Sequence, residues 1–376
     1  MNAPRCLSFR PVIKLALVQG VLAAGISLAG LGPALAFGEF PAQVPVPANN
    51  PMTPQKIALG KQLYFDPRLS LTGNVSCDSC HRVTSNGSDS LPLSFGVLGR
   101  VDVPRHAPPV FNAAFNTVQF WDGRAKSLED QAKGPILNPV EMGMPDGKAV
   151  VHRLEEIPGY RKEFAQVFGV RNPITFEHVV QAIATYERTL VTPGSAYDRY
   201  LKGDKAAMSA SALQGMSLVK SEGCVMCHSG AMFDNPGTPM GTGWYQKFPV
   251  YAKNPSCASY MQKDDLMKDP GRFDVTHKPS DEHMFKVPSW RNVALDAPYF
   301  QNGSVQKLSD AIRIMAVCEL NKTLTDGQVR DISAFMNSLT GKFPKEVLPH
   351  EPQTPDTTIM MHVAKLEKTA EETKTP

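Results

Sequence analysis

A five-residue pattern occurs twice in this chain, as Cys77-Asp78-Ser79-Cys80-His81 and as Cys224-Val225-Met226-Cys227-His228. Cys-x-x-Cys-His is the attachment signature of c-type haem. Its two sulfurs bond to the haem vinyl groups, and the adjacent histidine becomes the proximal ligand of the iron. The sequence therefore predicts two covalently bound haem c groups, attached through Cys77, Cys80, Cys224 and Cys227, with His81 and His228 on the irons.

The first 36 residues are typical of an export signal. Arg5, Arg10 and Lys14 precede an apolar run over residues 15–31, and Ala34-Leu35-Ala36 fits the small-x-small cleavage pattern. The alternative is an uncleaved membrane anchor, but glycines within and beside the run make it short and weak for a span. Attachment of haem to thiols also takes place outside the bacterial cytoplasm. We therefore expect a periplasmic protein with no membrane span in the mature chain.

The charge balance argues against one class of partner. Lys and Arg number 39 against 36 Asp and Glu, and loss of the signal leaves 36 of each sign. The mature chain is then near neutral, and four haem propionates would make the holoprotein slightly acidic. Such a protein is not expected to bind nucleic acid.

Helical signals repeat in the two halves of the chain. Thr53-Pro54 predicts a helix start, and Thr175–Leu190 carries apolar residues at the helical period. Further helices are predicted at residues 209–221 and after Thr325, where Gln328 completes a capping box. Because Cys224 follows Cys77 by 147 positions, the halves look like a diverged internal duplication.

The predicted fold is mostly α, with two cytochrome c-like haem domains, long loops, and haems that face a shared interface. The expected segments are a signal peptide (1–36), an N-terminal domain (37–200), a C-terminal domain (201–342) and a tail (343–376) that is disordered or loosely docked. The tail is assigned on its content of Pro, Thr, Glu and Lys.

Two cysteines remain outside the motifs and the signal. Cys257 and Cys318 would meet in an oxidising compartment, where two spare thiols can form a disulfide. Two buried free thiols are the alternative, and the sequence leaves both open.

The sixth ligand of each iron decides what each haem does. Met315 is the candidate for the second haem, because it lies on a predicted helix, 307–317, at 87 positions after His228. The alternative is a core methionine, since the chain has 16 methionines and most such residues fill space.

Near the first haem, three side chains suggest chemistry. Glu141 could move a proton between the oxygens of peroxide. Gln131, on a short helix capped by Ser127, and Trp121 lie within 20 positions of it. The alternatives are a helix-end charge for Glu141, a solvated helix face for Gln131 and a packed core residue for Trp121.

Two long segments carry a resemblance to a known family. They are RHAPPVFNAAFNTVQFWDGRAKSLEDQAKGPILNPVEM (105–142) and FKVPSWRNVALDAPYFQNGSV (285–305). With both haem motifs and the AIRIMAVCEL helix, the chain resembles the bacterial di-haem cytochrome c peroxidases, including MauG-type enzymes, over roughly residues 53–342. The resemblance implies a peroxidatic N-terminal haem and a C-terminal haem with His/Met ligation at which electrons enter. It makes Met315 the methionine ligand and Glu141 the acid–base residue, and it places Gln131 in the distal pocket and Trp121 between the haems.

The chain departs from the family at two positions. Many members carry a histidine that blocks the peroxidatic iron until the other haem is reduced, and Val97 stands there. We therefore expect a five-coordinate first haem that needs no reductive activation. His106 stands where the family has the asparagine that resembles a calcium ligand, which puts the ion in doubt, because imidazole is a poor calcium ligand. By resemblance, the other calcium ligands are the backbone carbonyls of Asp296 and Pro298. His106 could instead bind an iron or simply bond to backbone.

The resemblance implies reduction of hydrogen peroxide to water, with electrons from a small periplasmic donor such as a cytochrome c or a cupredoxin. It also implies a homodimer, because members are often dimers. One alternative is a MauG-like oxidase that acts on residues of another protein, although those enzymes have tyrosine where Met315 stands. The other alternative is a non-catalytic di-haem electron carrier, in which both irons would have all six ligand positions filled.

Overall fold

A computed structural model describes residues 37–99, 105–169 and 171–355. The predicted signal (1–36) and the end of the predicted tail (356–376) lie outside the described residues. The described chain is mostly helical with one small sheet, which confirms the predicted class. None of its helices is long and apolar enough to cross a bilayer.

The α-helices of the described residues are α1 (Pro54–Phe65), α2 (Cys77–Cys80), α3 (Leu128–Leu137), α4 (Gly147–Glu155), α5 (Pro158–Phe168), α6 (Phe176–Glu187), α7 (Ala196–Leu201), α8 (Ala210–Ser221), α9 (Pro255–Lys263), α10 (Phe273–Thr276), α11 (Leu308–Leu320) and α12 (Asp326–Ser338). Short 3-10 turns cover Pro67–Leu69, Val97–Gly99, Ala113–Phe115, Cys224–Met226, Pro279–Asp281 and Val293–Leu295. The strands are β1 (Tyr245–Lys247) and β2 (Met284–Lys286), which pair antiparallel.

Three main helices begin at threonine N-caps, of which the sequence indicates Thr53 and Thr325. The Thr53 hydroxyl accepts a hydrogen bond at 3.2 Å from the backbone N–H three residues later and caps α1. Thr175 caps α6 in the same way at 3.1 Å. Thr325 and Gln328 form the predicted capping box of α12. These side chains satisfy N–H groups that have no partner inside the helix.

The two halves of the chain use the same helix crossing. α1 packs against α6, and α8 packs against α12. Gly60 of α1 lies so close to α6 that a Cβ atom there would overlap the carbonyl oxygen of Ala182. Gly215 of α8 lies equally close to the carbonyl oxygen of Asp331 in α12. Each crossing belongs to a hydrophobic cluster drawn mainly from its own half.

A turn is also repeated, and one hydroxyl joins its two copies. Asn112 and Asn292 both adopt left-handed backbone with φ of 66°, which asparagine tolerates better than most residues. Their side-chain amides donate to the Thr192 hydroxyl at 2.7 and 2.8 Å. Because Thr192 lies between the halves in sequence, the connecting segment is bonded to both.

A disulfide fixes the loop region of the second half. Cys257 of α9 is bonded to Cys318 of α11, with their Cα atoms 5.1 Å apart, so the alternative of two free thiols is wrong. The backbone N–H groups of Val250 and Tyr251 donate to the carbonyl oxygen of Cys318 at 3.1 and 2.8 Å. The segment before α9 is therefore held on the helix that carries Met315.

Residues 343–355 follow the docked alternative for the tail and not the disordered one. They form no helix or strand, but they lie along the first half of the chain. Phe343 packs edge-on against Phe111 with ring centroids 4.7 Å apart. The Arg68 guanidinium donates to the carbonyl oxygen of Pro352 at 2.8 Å. Composition did not reveal these contacts because their partners are remote in sequence.

Candidate active site

The first Cys-x-x-Cys-His motif lies at the edge of a cavity. Helix α2 begins at a capping box between Ser76 and Ser79, and its two cysteines form no disulfide. Nδ1 of His81 lies 2.9 Å from the carbonyl oxygen of Pro108. A neutral ring that donates there keeps the Nε2 lone pair for a metal. Burial lowers the pKa of His81, which favours this neutral form.

All three side chains predicted around the first haem line this cavity. Trp121, Gln131 and Glu141 share it with both cysteines and His81. About 1480 Å³ within the cavity and its mouth is free of protein atoms. Gln131 lies on α3, which starts at the predicted cap Ser127. Folding thus brings together side chains that span 64 positions of the sequence.

Glu141 has the electrostatic setting of a proton carrier. Burial raises the pKa of its carboxyl group, while the positive charge of Arg124 and a hydrogen bond from Asn138 partly oppose that shift. Arg124 also lines the cavity, with its guanidinium 3.4 Å from the Phe120 ring centre and 2.8 Å from a carboxylate oxygen of Asp122. A carboxyl group with a raised pKa exchanges a proton more readily near neutral pH.

Val97 is 1% exposed and is not among the residues that line the first cavity. Its backbone N–H donates to the carbonyl oxygen of Glu141 at 2.8 Å. A Cβ atom on Gly143 would meet a Val97 methyl group at 2.9 Å, so the side chain packs beside that residue. Val97 therefore offers no ligand to the first iron, as expected if that iron is open.

The second Cys-x-x-Cys-His motif edges another cavity. Its cysteines form no disulfide, and Nδ1 of His228 lies 3.0 Å from the carbonyl oxygen of Phe233. The His228 ring stacks on Trp290 with centroids 4.3 Å apart, and burial lowers the pKa of His228 to about 4. Met315 lines the same cavity from α11. The predicted pair of axial ligands thus faces one space.

The residues expected around a calcium ion also line the second cavity. Asp296, Pro298 and His106 are among its walls. His106 donates through Nδ1 to the carbonyl oxygen of Leu91 at 2.7 Å, which is the backbone hydrogen bond that the sequence offered as one alternative. Its buried Nε2 and the Asp296 Oδ1 have no hydrogen-bond partner among the described residues. Burial raises the pKa of Asp296 well above its usual range.

One wall separates the two cavities. Four residues line both: His106, Trp121, Lys286 and Pro288. The Trp121 indole donates to the carbonyl oxygen of His106 at 2.9 Å, and the backbone N–H of Lys286 donates to the carbonyl oxygen of Trp121 at 2.8 Å. Trp121 is therefore fixed on both sides within the wall.

Comparison with known proteins bears on what these cavities hold. A family model described as di-haem cytochrome c peroxidase matches residues 54–206. The chain is 42% identical to the cytochrome c551 peroxidase of Pseudomonas aeruginosa, over 86% of this chain and 89% of that protein. It is 36% identical to the methylamine utilization protein MauG of Methylorubrum extorquens, over 83% of this chain and 86% of that protein. A crystal structure of a MauG-like protein associated with microbial copper homeostasis aligns with a TM-score of 0.69 and 27% identity, covering 85% and 98% of the two chains.

The chain belongs to the di-haem cytochrome c peroxidase family. It is an oxidoreductase that acts on peroxide. The family implies two haems, and the residues fit that number, because each of two cavities is edged by paired thiols and by a histidine whose Nδ1 is already hydrogen-bonded.

The sequence did not predict three of the residues that line the cavities. Arg124 and Glu187 line the first cavity, and Lys286 lines both. Burial raises the pKa of Glu187 to about 8, and its Oε2 has no hydrogen-bond partner among the described residues. The available signal for Glu187 was its place on the predicted helix 175–190, and for Lys286 its place in the segment 285–305. Neither signal indicated a cavity.

Proposed function

We propose that this chain reduces hydrogen peroxide to water with electrons from a small periplasmic donor, either a cytochrome c or a cupredoxin. Two protons and two electrons break the O–O bond and give two waters. The observation that carries the proposal is the pair of cavities, each edged by a Cys-x-x-Cys-His motif and separated by a wall that contains Trp121. When bound, haem supplies an iron that takes a peroxide oxygen and exchanges electrons.

In this proposal each motif holds its haem covalently, through Cys77 and Cys80 in the first cavity and Cys224 and Cys227 in the second. His81 would hold the first iron as its one protein ligand, and that iron would be free to bind peroxide. His228 and Met315 would hold the second iron, where a thioether would favour the ferrous state and a high potential. Trp121 helps to couple the two sites.

Proton transfer falls to Glu141. Its carboxylate takes the proton from the attacking oxygen of peroxide and returns it to the leaving oxygen, and its buried setting supports both steps. Gln131 orients the peroxide through its amide. Glu141 and Gln131 are linked to one site by the cavity that both line.

We assign residues 37–200 and 201–342 to two cytochrome c-like domains whose haems face a shared interface. The repeated helix crossing with Gly60 and Gly215 and the repeated turn at Asn112 and Asn292 support this duplication. Residues 1–36 would direct export to the periplasm and be removed. A homodimer is part of the same proposal.

Calcium at the carbonyls of Asp296 and Pro298 stays a prediction that His106 weakens. Its Nδ1 already donates to Leu91, and a ring nitrogen suits calcium poorly. Calorimetric titration of the holoprotein with calcium measures whether the ion binds.

The similarity to MauG raises a second candidate, an oxidase that acts on residues of another protein. Met315 speaks against it, because the MauG-type enzymes resembled by this chain have tyrosine there. If Met315 is the ligand, Met315→Tyr should lose the charge-transfer absorption band of a methionine-ligated haem, and it should also lose peroxidase turnover.

Turnover measurements test the proposal directly. Holoprotein with two haems, mixed with hydrogen peroxide and a reduced small cytochrome c, should oxidise the donor at two electrons per peroxide. Glu141→Gln should slow turnover about 10²- to 10⁴-fold, because it removes the proton carrier but leaves the cavity shape. Glu155→Gln, on the exposed face of α4, is the matched control and should turn over normally. Absence of turnover in the two-haem holoprotein would overturn the function, and normal turnover in Glu141→Gln would remove the role given to that residue.

A further inference from the structure

Lys286 occupies the wall between the two cavities. It ends strand β2, and its side chain is among the four that line both spaces. Its backbone N–H donates to the carbonyl oxygen of Trp121 at 2.8 Å, so the residue is anchored to the tryptophan between the sites. Of the four wall residues, Trp121 and Pro288 carry no charge, and burial keeps His106 neutral by lowering its pKa. Lys286 is therefore the cation of this wall.

The ammonium group of Lys286 has no matching anion in the protein. Within residues 37–99, 105–169 and 171–355, no carboxylate lies at ion-pair distance from it and no oxygen accepts a hydrogen bond from it. Asp234 acts on it only at longer range, and burial raises the pKa of that carboxyl group to about 6. Burial lowers the pKa of Lys286 itself, as expected for an ammonium with no close partner.

The other cationic side chains that line the cavities already form ion pairs or are exposed to solvent. Arg105 and Arg124 both form ion pairs with Asp122 in the first cavity. In the second, Lys322 lies 3.0 Å from a carboxylate oxygen of Glu222, and Lys247 is exposed to solvent. Lys286 is only partly exposed, and a charge that is partly removed from water is costly unless it is paired, so a ligand anion is expected beside it.

We propose that the Lys286 ammonium binds haem propionates at the wall and sets the reduction potentials of both haems as a shared positive charge. The inference rests on the proposed pair of haem sites and assigns a positioning residue to them. Propionate is the anion that a haem brings into each cavity, and a carboxylate paired with an ammonium forms a strong charge-assisted hydrogen bond. Reduction adds one negative charge to each haem, and a nearby cation stabilises that added charge.

Spectroelectrochemical titration of the holoprotein tests the assignment. Lys286→Gln and Lys286→Met both remove the charge, and Met keeps an unbranched apolar stem. In each, the one-electron reduction equilibrium should fall about tenfold at both haems, a shift of about 59 mV to lower potential. Lys286→Arg keeps the charge and should stay close to wild type. Lys247→Gln, the control on the exposed side of the second cavity, should leave the first haem unchanged.

Haem content separates this inference from the proposed function. If the pyridine haemochrome spectrum of the wild-type protein shows fewer than two covalent haems per chain, the proposed haem sites themselves are overturned. With two haems present, wild-type potentials in Lys286→Gln or Lys286→Met would overturn the role of Lys286. An equal fall at the first haem in Lys247→Gln would also overturn it, because the effect would then be one of general charge.

Discussion

The backbone of Val97 is hydrogen-bonded to that of Glu141, with the Val97 nitrogen 2.8 Å from the Glu141 carbonyl oxygen. The contact continues at the preceding residue, where a Cβ atom on Gly96 would overlap the carbonyl oxygen of Val140. By resemblance this is the loop position from which many family members extend a blocking histidine, and here it is held against the segment that carries the candidate acid–base residue. We expect both features to keep the first iron open in the oxidised protein.

Val97→His should not close the first site. Because residue 97 packs beside Gly143 and its backbone is bonded to Glu141, a histidine there would have to break that contact to approach an iron. The EPR spectrum of the oxidised holoprotein should show a high-spin first haem in wild type and in Val97→His. Val97→Ala controls for altered packing. A low-spin first haem in wild type contradicts the open iron, and one in Val97→His alone shows that the loop opens.

Glu187 should make the free energy of unfolding depend on pH. Burial raises its pKa from 4.5 to about 8, so the folded protein keeps a proton that the unfolded chain releases between these values. Stability should therefore fall as pH rises from about 5 to 8, by up to about 1.4 kcal/mol per pH unit. Glu187→Gln removes this contribution, and its melting temperature should depend less on pH than that of wild type. Parallel curves for the two proteins, with Glu155→Gln as the exposed control, would contradict the assignment.

The Cys257–Cys318 disulfide should hold the helix that carries Met315. It closes a loop with a sequence separation of 61 residues, which corresponds to about 4 kcal/mol of stabilisation through the unfolded chain. In Cys257→Ser/Cys318→Ser we expect a lower melting temperature and a low-spin signal of the second haem that is lost at a lower temperature. If the double variant loses the second-haem signal at the same temperature as wild type, the disulfide does not hold the helix that carries Met315.

Gly60→Ala and Gly215→Ala should destabilise the protein by similar amounts. At both positions an added methyl group meets a backbone carbonyl of the crossing helix, and overpacking of this kind costs about 1–3 kcal/mol. Gly327→Ala, in the first turn of α12, is the matched control, because an added Cβ atom there would make only ordinary van der Waals contacts, the nearest at 3.6 Å. Denaturant unfolding measures all three. If only one crossing is sensitive, the two halves are not packed alike.

Local signals explain what the sequence could predict. Thr53, Thr175 and Thr325 cap their helices because a hydroxyl and the N–H groups it accepts from are three residues apart, so a short window contains all the information. The haem motifs are equally local. Trp121, Gln131 and Glu141 fall within 21 residues of one another and line one cavity, but their roles there stay predictions.

Long-range contacts explain what the sequence could not predict. Glu187 resembles an ordinary charge at a helix end, and its burial depends on how α6 meets the first cavity. Lys286 lies 205 positions after His81, and only folding places it on a wall that the two cavities share. The choice between a disulfide and free thiols for Cys257 and Cys318 also depended on the docking of α9 against α11.

The segment 343–355 has a consequence for the order in which the molecule is completed. Its Phe343 and Pro352 contact residues of the first half, at Phe111 and Arg68. During synthesis the first half emerges long before this segment does. The part of the chain that we assign to peroxide chemistry therefore gains this outer layer only after the second half has been synthesised.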